Sequence, residues 1–232
     1  MSRPLDILVF GAHADDAEIG MGGTILKHTR RGDSVGICDL TYAEMSSNGT
    51  VESRREEAEA AAKVLGLAFR SNLGLPDRGL FLNRETVEAV ALEIRRRRPR
   101  IVFAPYWKDR HPDHVMASQL IQEAVFTAKL RRYLPDTEAW GTEAVYFYFI
   151  NDAEEADLMV DVTDVYEGKR DALRAYRTQF EAGQAGEDRV LTPLNQGYLE
   201  RVEARDRVLG MKRQVEYAEG FVTRLPYLVD RF

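Results

Sequence analysis

Histidine and aspartate residues are concentrated in two short, widely separated segments of this chain. The first reads Ala12-His13-Ala14-Asp15-Asp16 and the second reads His111-Pro112-Asp113-His114. Together they contain three of the four histidines in the sequence. Two imidazole nitrogens and one carboxylate oxygen form a zinc site that leaves a fourth position open for water. We therefore predict that zinc binds to His13, Asp16 and His114; iron(II) or cobalt would accept the same ligands.

The residues beside these ligands suit acid–base chemistry. Zinc can lower the pKa of a bound water to about 7, and Asp15 is then free to accept the proton that this water loses. A second imidazole, that of His111, could stabilise an oxyanion or protonate a leaving amine, with Asp113 holding its tautomer. The alternative is structural: Asp15 and Asp113 could cap a helix or place a negative charge at its N-terminus, and the histidines could form hydrogen bonds to loop backbone.

Each cluster directly follows an apolar segment typical of a buried strand, at residues 5–10 and 101–105. Neighbouring parallel strands end at the same edge of a sheet, and α/β proteins bind their ligands beyond that edge. If the two segments are such strands, both clusters emerge at one place and converge. This placement favours the metal site over the structural alternative.

The order of strands and helices predicts an α/β fold. Strands are predicted at residues 5–10, 34–40, 69–73, 101–104, 145–150 and 158–162, and helices at 22–31, 52–65, 84–98, 112–130, 164–180 and 198–209. This alternation implies a mostly parallel sheet flanked by helices, with a less regular C-terminal third. The string Ser53-Arg54-Arg55-Glu56 predicts a capping box. Segment 183–194 is predicted to be a loop that covers the site, and no linker divides the single domain predicted over residues 1–232.

The composition excludes several classes of protein. The chain has 232 residues, of which 44% are hydrophobic and 30% charged, and a formal net charge of −6. It therefore lacks the excess of cations that binding to nucleic acid requires. Its single cysteine, Cys38, excludes an internal disulfide. Because the sequence contains neither a signal-peptide pattern nor a stretch of about 20 apolar residues, we expect a cytoplasmic protein without a membrane partner.

The chain resembles the LmbE-like (PIG-L) family of zinc-dependent N-acetylglucosaminyl deacetylases. The resemblance rests on the two clusters, on the Gly22-Gly23-Thr24 helix and on an arginine at a later helix start. Ala14 replaces the proline common in the wider family, and this variant is similar to the bacillithiol-pathway branch. Further strings similar to that branch are Asn72-Leu73-Gly74-Leu75-Pro76-Asp77-Arg78-Gly79-Leu80, Asp109-Arg110, Ala175-Tyr176-Arg177-Thr178-Gln179-Phe180 and Tyr217-Ala218-Glu219-Gly220-Phe221.

The resemblance implies a fold, a site and a reaction. It implies a Rossmann-like core, a hexamer, zinc on the three ligands named above, Asp15 as general base and His111 oriented by Asp113. Arg54 matches the family arginine that contacts substrate, and Tyr198 matches a tyrosine near the oxyanion. The implied reaction is attack of zinc-bound hydroxide on the acetyl group of N-acetylglucosaminyl malate in bacillithiol biosynthesis.

Other functions remain open at this stage. Arg110 is either a partner for the malate carboxylates or a surface ion pair. The enzyme alternatives are a deacetylase of free N-acetylglucosamine or chitooligosaccharides and an amidase of a thiol conjugate. The alternative outside enzymes is a metal- or sugar-binding module, against which Asp15 and His111 argue because such a module would not need them.

Overall fold

The computed structural model describes residues 4–182, 189–226, 228 and 231. Its strands are β1 (Ile7–Gly11), β2 (Val35–Thr41), β3 (Phe69–Leu75), β4 (Ile101–Pro105), β5 (Ala144–Tyr148), β6 (Leu158–Asp161) and β7 (Ala218–Val222). They form one sheet in the order β3-β2-β1-β4-β5-β7-β6. Strands β1 to β5 pair in parallel, and β7 is antiparallel to both β5 and β6. The predicted α/β fold with a mostly parallel, Rossmann-like sheet is confirmed.

Helices cover both faces of this sheet. They are α1 (Asp16–Arg30), α2 (Val51–Leu65), α3 (Arg84–Arg97), α4 (Pro112–Ala128), α5 (Tyr166–Arg174), α6 (Arg177–Phe180) and α7 (Tyr198–Met211). Helices α3 and α4 pack with Leu8 and Phe10 of β1 on one face, and α1, α5 and α7 pack with Ile7 and Val9 on the other. Strand β1 is buried on both sides, which explains its unbroken apolar sequence. Within the described ranges, no helix is long and apolar enough to span a membrane.

The first helix begins earlier than predicted and is interrupted. It starts at Asp16 rather than at Gly22, and Met21 has non-helical backbone angles (φ −151°, ψ 24°). A Cβ on Gly20 would lie 2.1 Å from the ring of Tyr148, so only glycine allows the helix to approach this strand. The Gly-Gly-Thr string therefore lies within the helix, after the interruption, instead of at its start.

The start of α2 also differs in detail. Its N-cap is Thr50, which exchanges side-chain and backbone hydrogen bonds with Ser53. The capping box predicted at residues 53–56 is therefore wrong by one turn, because Ser53 is the third residue of the helix. The predicted stop at Gly66 is confirmed, and its left-handed backbone (φ 67°) closes the helix.

The C-terminal third contains the largest departures from prediction. The helix predicted over 164–180 is divided into a short 3-10 helix, α5 and α6, because the chain turns at Tyr176. This turn buries the Tyr176 ring completely, and its hydroxyl donates to Glu18 Oε1 at 2.8 Å. Strand β7 was not predicted, and it lies between β5 and β6.

Candidate metal centre and catalytic pocket

The two histidine–aspartate clusters meet at the carboxyl edge of the sheet. Strands β1 and β4 are parallel neighbours, with Ile7 opposite Ile101, and the strand order reverses between them. Both loops border a cavity of about 310 Å³. Among the predicted site residues, its lining includes His13, Asp15, Asp16, Arg54, Arg110, His111, His114 and Tyr198. The predicted convergence of the clusters is therefore present in the structure.

The three predicted metal ligands are in mutual contact through Asp16. Its Oδ1 lies 3.1 Å from His114 Nε2 and its Oδ2 lies 3.7 Å from His13 Nδ1. Two groups of possible ligand atoms lie within 4.8 Å of one another: the ring nitrogens of His13, His111 and His114, and ligand atoms of His13, Asp77 and Asp113. The predicted set differs from both groups because it contains Asp16. Nitrogen and carboxylate-oxygen donors at this spacing fit a divalent metal such as zinc.

The electrostatics of the cluster favour positive charge. Burial alone would lower the pKa of His13, but hydrogen bonds to Asp113 and Asp77 raise it to about 10. Burial also opposes protonation of His114, but Asp16 and Asp109 outweigh it and raise the pKa of that imidazole to about 9. The carboxylates thus stabilise a cation at this place, either an imidazolium or a bound metal ion.

Asp15 occupies a strained and buried position at the start of α1. Its backbone is left-handed (φ 111°), which is uncommon for a residue with a Cβ. Its Oδ2 accepts from Arg54 Nη2 at 3.2 Å. Burial raises the pKa of Asp15 to about 6, although the charge of Arg54 opposes that rise. A carboxyl with this pKa exchanges protons readily near neutral pH.

Arg54 lies beside Asp15, and both residues line the pocket. Arg54 is 3% exposed, its Nη2 donates to the carbonyl oxygen of Ala14, and its guanidinium carbon lies 5.3 Å from the centre of the Tyr176 ring. Its Nε and Nη1 atoms are buried without a hydrogen-bond partner among the described residues. Arg54 therefore retains donors for an acceptor atom of a bound molecule.

His111 and Asp113 are connected through the backbone. His111 caps α4, and its Nδ1 accepts from the backbone N–H of Asp113 at 3.2 Å. The Asp113 carboxylate instead accepts from Arg78 Nη1 at 2.7 Å and lies 3.5 Å from His13 Nε2. Side chains two positions apart on a helix do not face each other, which explains the separation of this carboxylate from the His111 ring. Orientation of His111 by Asp113 remains a prediction.

Arg110, Tyr198 and part of the predicted covering loop also line the pocket. Arg110 is exposed, and the Tyr198 hydroxyl donates to Asn151 Oδ1 at 3.0 Å. Thr192, Pro193 and Leu194 of the loop also line the pocket. Residues 183–188 of that loop lie outside the described residues.

Two carboxylates at the site were not among the predicted residues. Asp77 Oδ1 lies 3.1 Å from His13 Nε2, and Asp109 Oδ1 lies 3.1 Å from His114 Nδ1. Asp77 follows β3, so the strand-edge argument applied to the two clusters would also have found it. Asp109 directly precedes the second cluster, but its spacing did not reveal that it faces a ligand.

Comparison with known proteins identifies the family. The family model of GlcNAc-PI de-N-acetylase, PIG-L, matches residues 8–125. The chain belongs to the PIG-L family. Over 97% of both chains it superposes on the crystal structure of a conserved protein from Thermus thermophilus, with 40% identity and a TM-score of 0.88. The family resemblance deduced from the motifs is thereby confirmed.

Relatives within the family differ in their named activities. A diacetylchitobiose deacetylase of Thermococcus kodakarensis is 33% identical, over 75% of this chain and 70% of its own. A 4-oxalmesaconate hydratase of Pseudomonas putida is 26% identical over 96% and 90%, respectively. A Bacillus subtilis protein named "Probable N-acetyl-alpha-D-glucosaminyl L-malate deacetylase 2" is 28% identical over 75% and 83%. Membership alone therefore does not specify the substrate.

Proposed function

We propose that this chain is a metal-dependent hydrolase that removes the acetyl group from an N-acetylglucosamine conjugate. The observation that carries the proposal is the meeting of both clusters in one pocket, with buried Asp15 held against Arg54 beside His13 and Asp16. A pocket built only to bind a sugar would not require a strained, buried carboxyl next to a metal-ligand set. The named deacetylases among the relatives support the same reaction.

His13, Asp16 and His114 are the proposed ligands, and zinc is the proposed metal. With zinc bound there, the site would lower the pKa of a water molecule and polarise the acetyl carbonyl. Asp77 and Asp109 each contact one of the ligand imidazoles, and such contacts fix ring orientation and ligand basicity in metal sites.

The remaining residues have distinct tasks in the hydrolysis. Asp15 accepts the proton of the attacking water and delivers a proton to the amine nitrogen as the C–N bond breaks, so that acetate and a free amine leave. His111, whose pKa burial and the neighbouring imidazoles lower, donates a hydrogen bond to the carbonyl oxygen as negative charge develops on it. Tyr198 lines the same pocket and is the second proposed donor, for which its hydroxyl must turn away from Asn151 Oδ1.

The proposed substrate is N-acetylglucosaminyl malate, as an intermediate of bacillithiol biosynthesis. Arg110 lines both the catalytic pocket and an adjoining cavity of about 280 Å³ that also contains Arg201. Within the described ranges, Arg110 forms no ion pair with a carboxylate. Cations at this position suit the two carboxylates of a malate group, and the B. subtilis relative carries this substrate in its name.

The proposal includes a cytoplasmic location and a homo-hexamer. The hexamer is proposed from the resemblance to the family that the sequence motifs carry. The mass of the particle in solution tests the hexamer directly.

Two other substrates are supported by named relatives. The T. kodakarensis relative makes a chitooligosaccharide the second candidate. The P. putida relative makes hydration of an unsaturated carboxylic acid the third, since acid–base groups beside a metal also serve the addition of water to a double bond.

Acetate release from N-acetylglucosaminyl malate, free N-acetylglucosamine and diacetylchitobiose tests the proposal, and water addition to 4-oxalmesaconate tests the third candidate. Each substrate is assayed with chelated and with zinc-restored protein. We expect metal-dependent acetate release that strongly favours the malate conjugate. Comparable rates on all acetylated sugars would replace the malate specificity with a broad deacetylase, and water addition to 4-oxalmesaconate alone would replace deacetylation itself.

A further inference from the structure

Four charged side chains outside the proposed catalytic set form a network in the interior; three of them are buried, and the fourth, Arg205, is half-buried and also lines the cavity that adjoins the catalytic pocket. Lys169 Nζ lies 2.6 Å from Asp206 Oδ2 and 2.7 Å from Glu219 Oε1. Arg205 Nε donates to Asp206 Oδ1 at 3.0 Å. Lys169 and Asp206 are fully buried, and Glu219 is 1% exposed. Two cations and two anions balance one another, so we name this set the buried ion network.

One branch of the buried ion network holds the interruption in α1. A break in a helix leaves backbone groups without their usual partners. The Glu219 carboxylate accepts from the backbone N–H groups of Gly23 at 2.9 Å and Thr24 at 2.6 Å. Arg205 Nη2 donates to the carbonyl oxygen of Ile19 at 2.7 Å. This branch fixes the short helical turn that begins with the proposed ligand Asp16.

A second branch reaches the other proposed ligand segment. Arg205 Nη1 donates to the carbonyl oxygen of Ile150 at 2.6 Å. The next residue, Asn151, donates to both oxygens of Asp109, through its backbone N–H at 3.2 Å and its Nδ2 at 2.8 Å. Asp109 Oδ1 in turn lies 3.1 Å from His114 Nδ1. A chain of contacts thus runs from Arg205 to His114: hydrogen bonds to Ile150 and between Asn151 and Asp109, joined by the peptide bond between residues 150 and 151, and then the Asp109–His114 ion pair.

We propose that Arg205 is a positioning residue of the metal centre, because its single guanidinium bonds the carbonyls of Ile19 and Ile150 and so sets the spacing of Asp16 and His114. The planar fork of arginine bonds two carbonyls and the Asp206 carboxylate at once. A lysine carries the same charge on a single nitrogen and cannot span these acceptors. Arg205 itself is not a proposed metal ligand and has no part in the proton transfers.

The test uses the full chain with its metal removed. Zinc affinity is measured by competition with a chromophoric chelator, and the visible absorption of cobalt-loaded protein reports the ligand geometry. For Arg205→Lys we expect zinc affinity about tenfold lower, as for other residues that orient metal ligands, and a shifted absorption spectrum of the cobalt-loaded protein. We also expect kcat to fall while KM changes little. Leu209→Ala on the same helix is the control for simple destabilisation: it truncates a buried side chain and should lower the Tm without changing zinc affinity.

A second variant examines the branch towards His114. Asn151→Ala removes the side-chain donor to Asp109 without placing a charge in the interior, and we expect zinc affinity reduced severalfold at an almost unchanged Tm. Arg205→Lys or Asn151→Ala protein that is folded and binds zinc as tightly as the wild type would overturn the inference. If Arg205→Lys does not fold, Asn151→Ala decides alone.

This inference rests on the metal centre of the proposed function, but different experimental results would refute the two proposals. Wild-type protein that takes up no zinc would refute the proposed metal centre. Wild-type protein that binds zinc and releases acetate, together with variants of unchanged zinc affinity and cobalt spectrum, would refute only the positioning role of Arg205.

Discussion

The catalytic pocket and the buried ion network both collect charged side chains in the interior, but their charges balance differently. In the network, Lys169 and Arg205 face Asp206 and Glu219, and all four are paired. At the metal centre, five carboxylates outnumber the guanidinium groups of Arg54, Arg78 and Arg110, and the imidazoles of His13 and His114 complete the balance only when they carry a proton or bind a cation. The carboxylates are those of Asp15, Asp16, Asp77, Asp109 and Asp113.

This difference separates stability from function. A buried charge with complete partners holds the fold, and removing one partner leaves an uncompensated charge in a poorly solvating interior. A surplus of carboxylates instead raises the affinity of a site for cations, at a cost to the stability of the protein without a metal ion. Variants in the pocket should therefore change chemistry more than stability. Removal of Lys169 from the network should change stability more than chemistry.

The strongest effect should come from removing a proposed ligand. His13→Ala leaves the cation site with one imidazole fewer, and we expect loss of bound zinc together with loss of measurable acetate release. Elemental analysis of the purified variant gives the metal content. His28→Ala is the matched control, since its imidazole pairs with Asp33 outside the pocket. Retention of one zinc per chain by His13→Ala would exclude His13 as an essential ligand.

Asp15→Asn should lower the rate of the reaction and leave the metal content of the protein unchanged. Removal of a general base typically lowers kcat by about 10²- to 10⁴-fold, whereas Asp15 is not a proposed ligand. The amide oxygen of asparagine can still accept the hydrogen bond from Arg54, although the buried guanidinium loses its ion-pair partner, so we expect only a small change in Tm. Kinetics, elemental analysis and thermal unfolding check the three expectations on one preparation. Near-normal turnover would exclude Asp15 as the base.

Lys169→Met should reverse this pattern. It removes one cation from a fully buried set, and breaking such a pair costs about 3–5 kcal/mol of unfolding free energy. Chemical denaturation measures that loss. Lys27→Met is the control, because the ion pair of Lys27 with Asp164 lies at the surface, where pairs contribute about 0–1 kcal/mol. Equal losses in the two variants would show that burial of the network does not determine its contribution.

The smallest effect should concern substrate choice. Arg110→Ala removes an exposed cation beside the pocket, and we expect about a tenfold fall in kcat/KM for the malate conjugate, the value of one charge-assisted hydrogen bond. Free N-acetylglucosamine lacks the malate carboxylates and should be cleaved as before. Lys108→Ala removes a neighbouring surface cation that pairs with Glu154 and should leave both rates unchanged. An equal fall on both sugars would assign Arg110 to the shared reaction.

The sequence predicted the centre of the molecule better than its C-terminal third. Strands β1 and β4 are apolar throughout, and each is followed by a cluster of chemically distinctive residues, so local sequence revealed both the sheet and the site. Asp109 was missed because its contact with His114 depends on how the loop folds back, which spacing alone does not encode.

Strand β7 and the division of the helix at Tyr176 were missed for a related reason. The segment Ala218–Val222 contains a glutamate and a glycine, and neither favours a strand. Glu219 is nevertheless buried because Lys169 and two backbone N–H groups supply its partners. Likewise, the sequence around Tyr176 favours a helix, and the chain turns there because a distant carboxylate, that of Glu18, accepts its hydroxyl.

The position of β7 between β5 and β6 has a consequence for synthesis of the chain. Strand β6 is made well before β7, yet in the described sheet it hydrogen-bonds to β7 alone. As the chain emerges from the ribosome, the edge of β5 therefore remains open until the last strand arrives. Glu219 enters with that strand, so the interruption in α1 receives its carboxylate partner only at the end. The proposed ligand segments are therefore synthesised well before the strand that carries Glu219, the carboxylate partner of the interruption in α1.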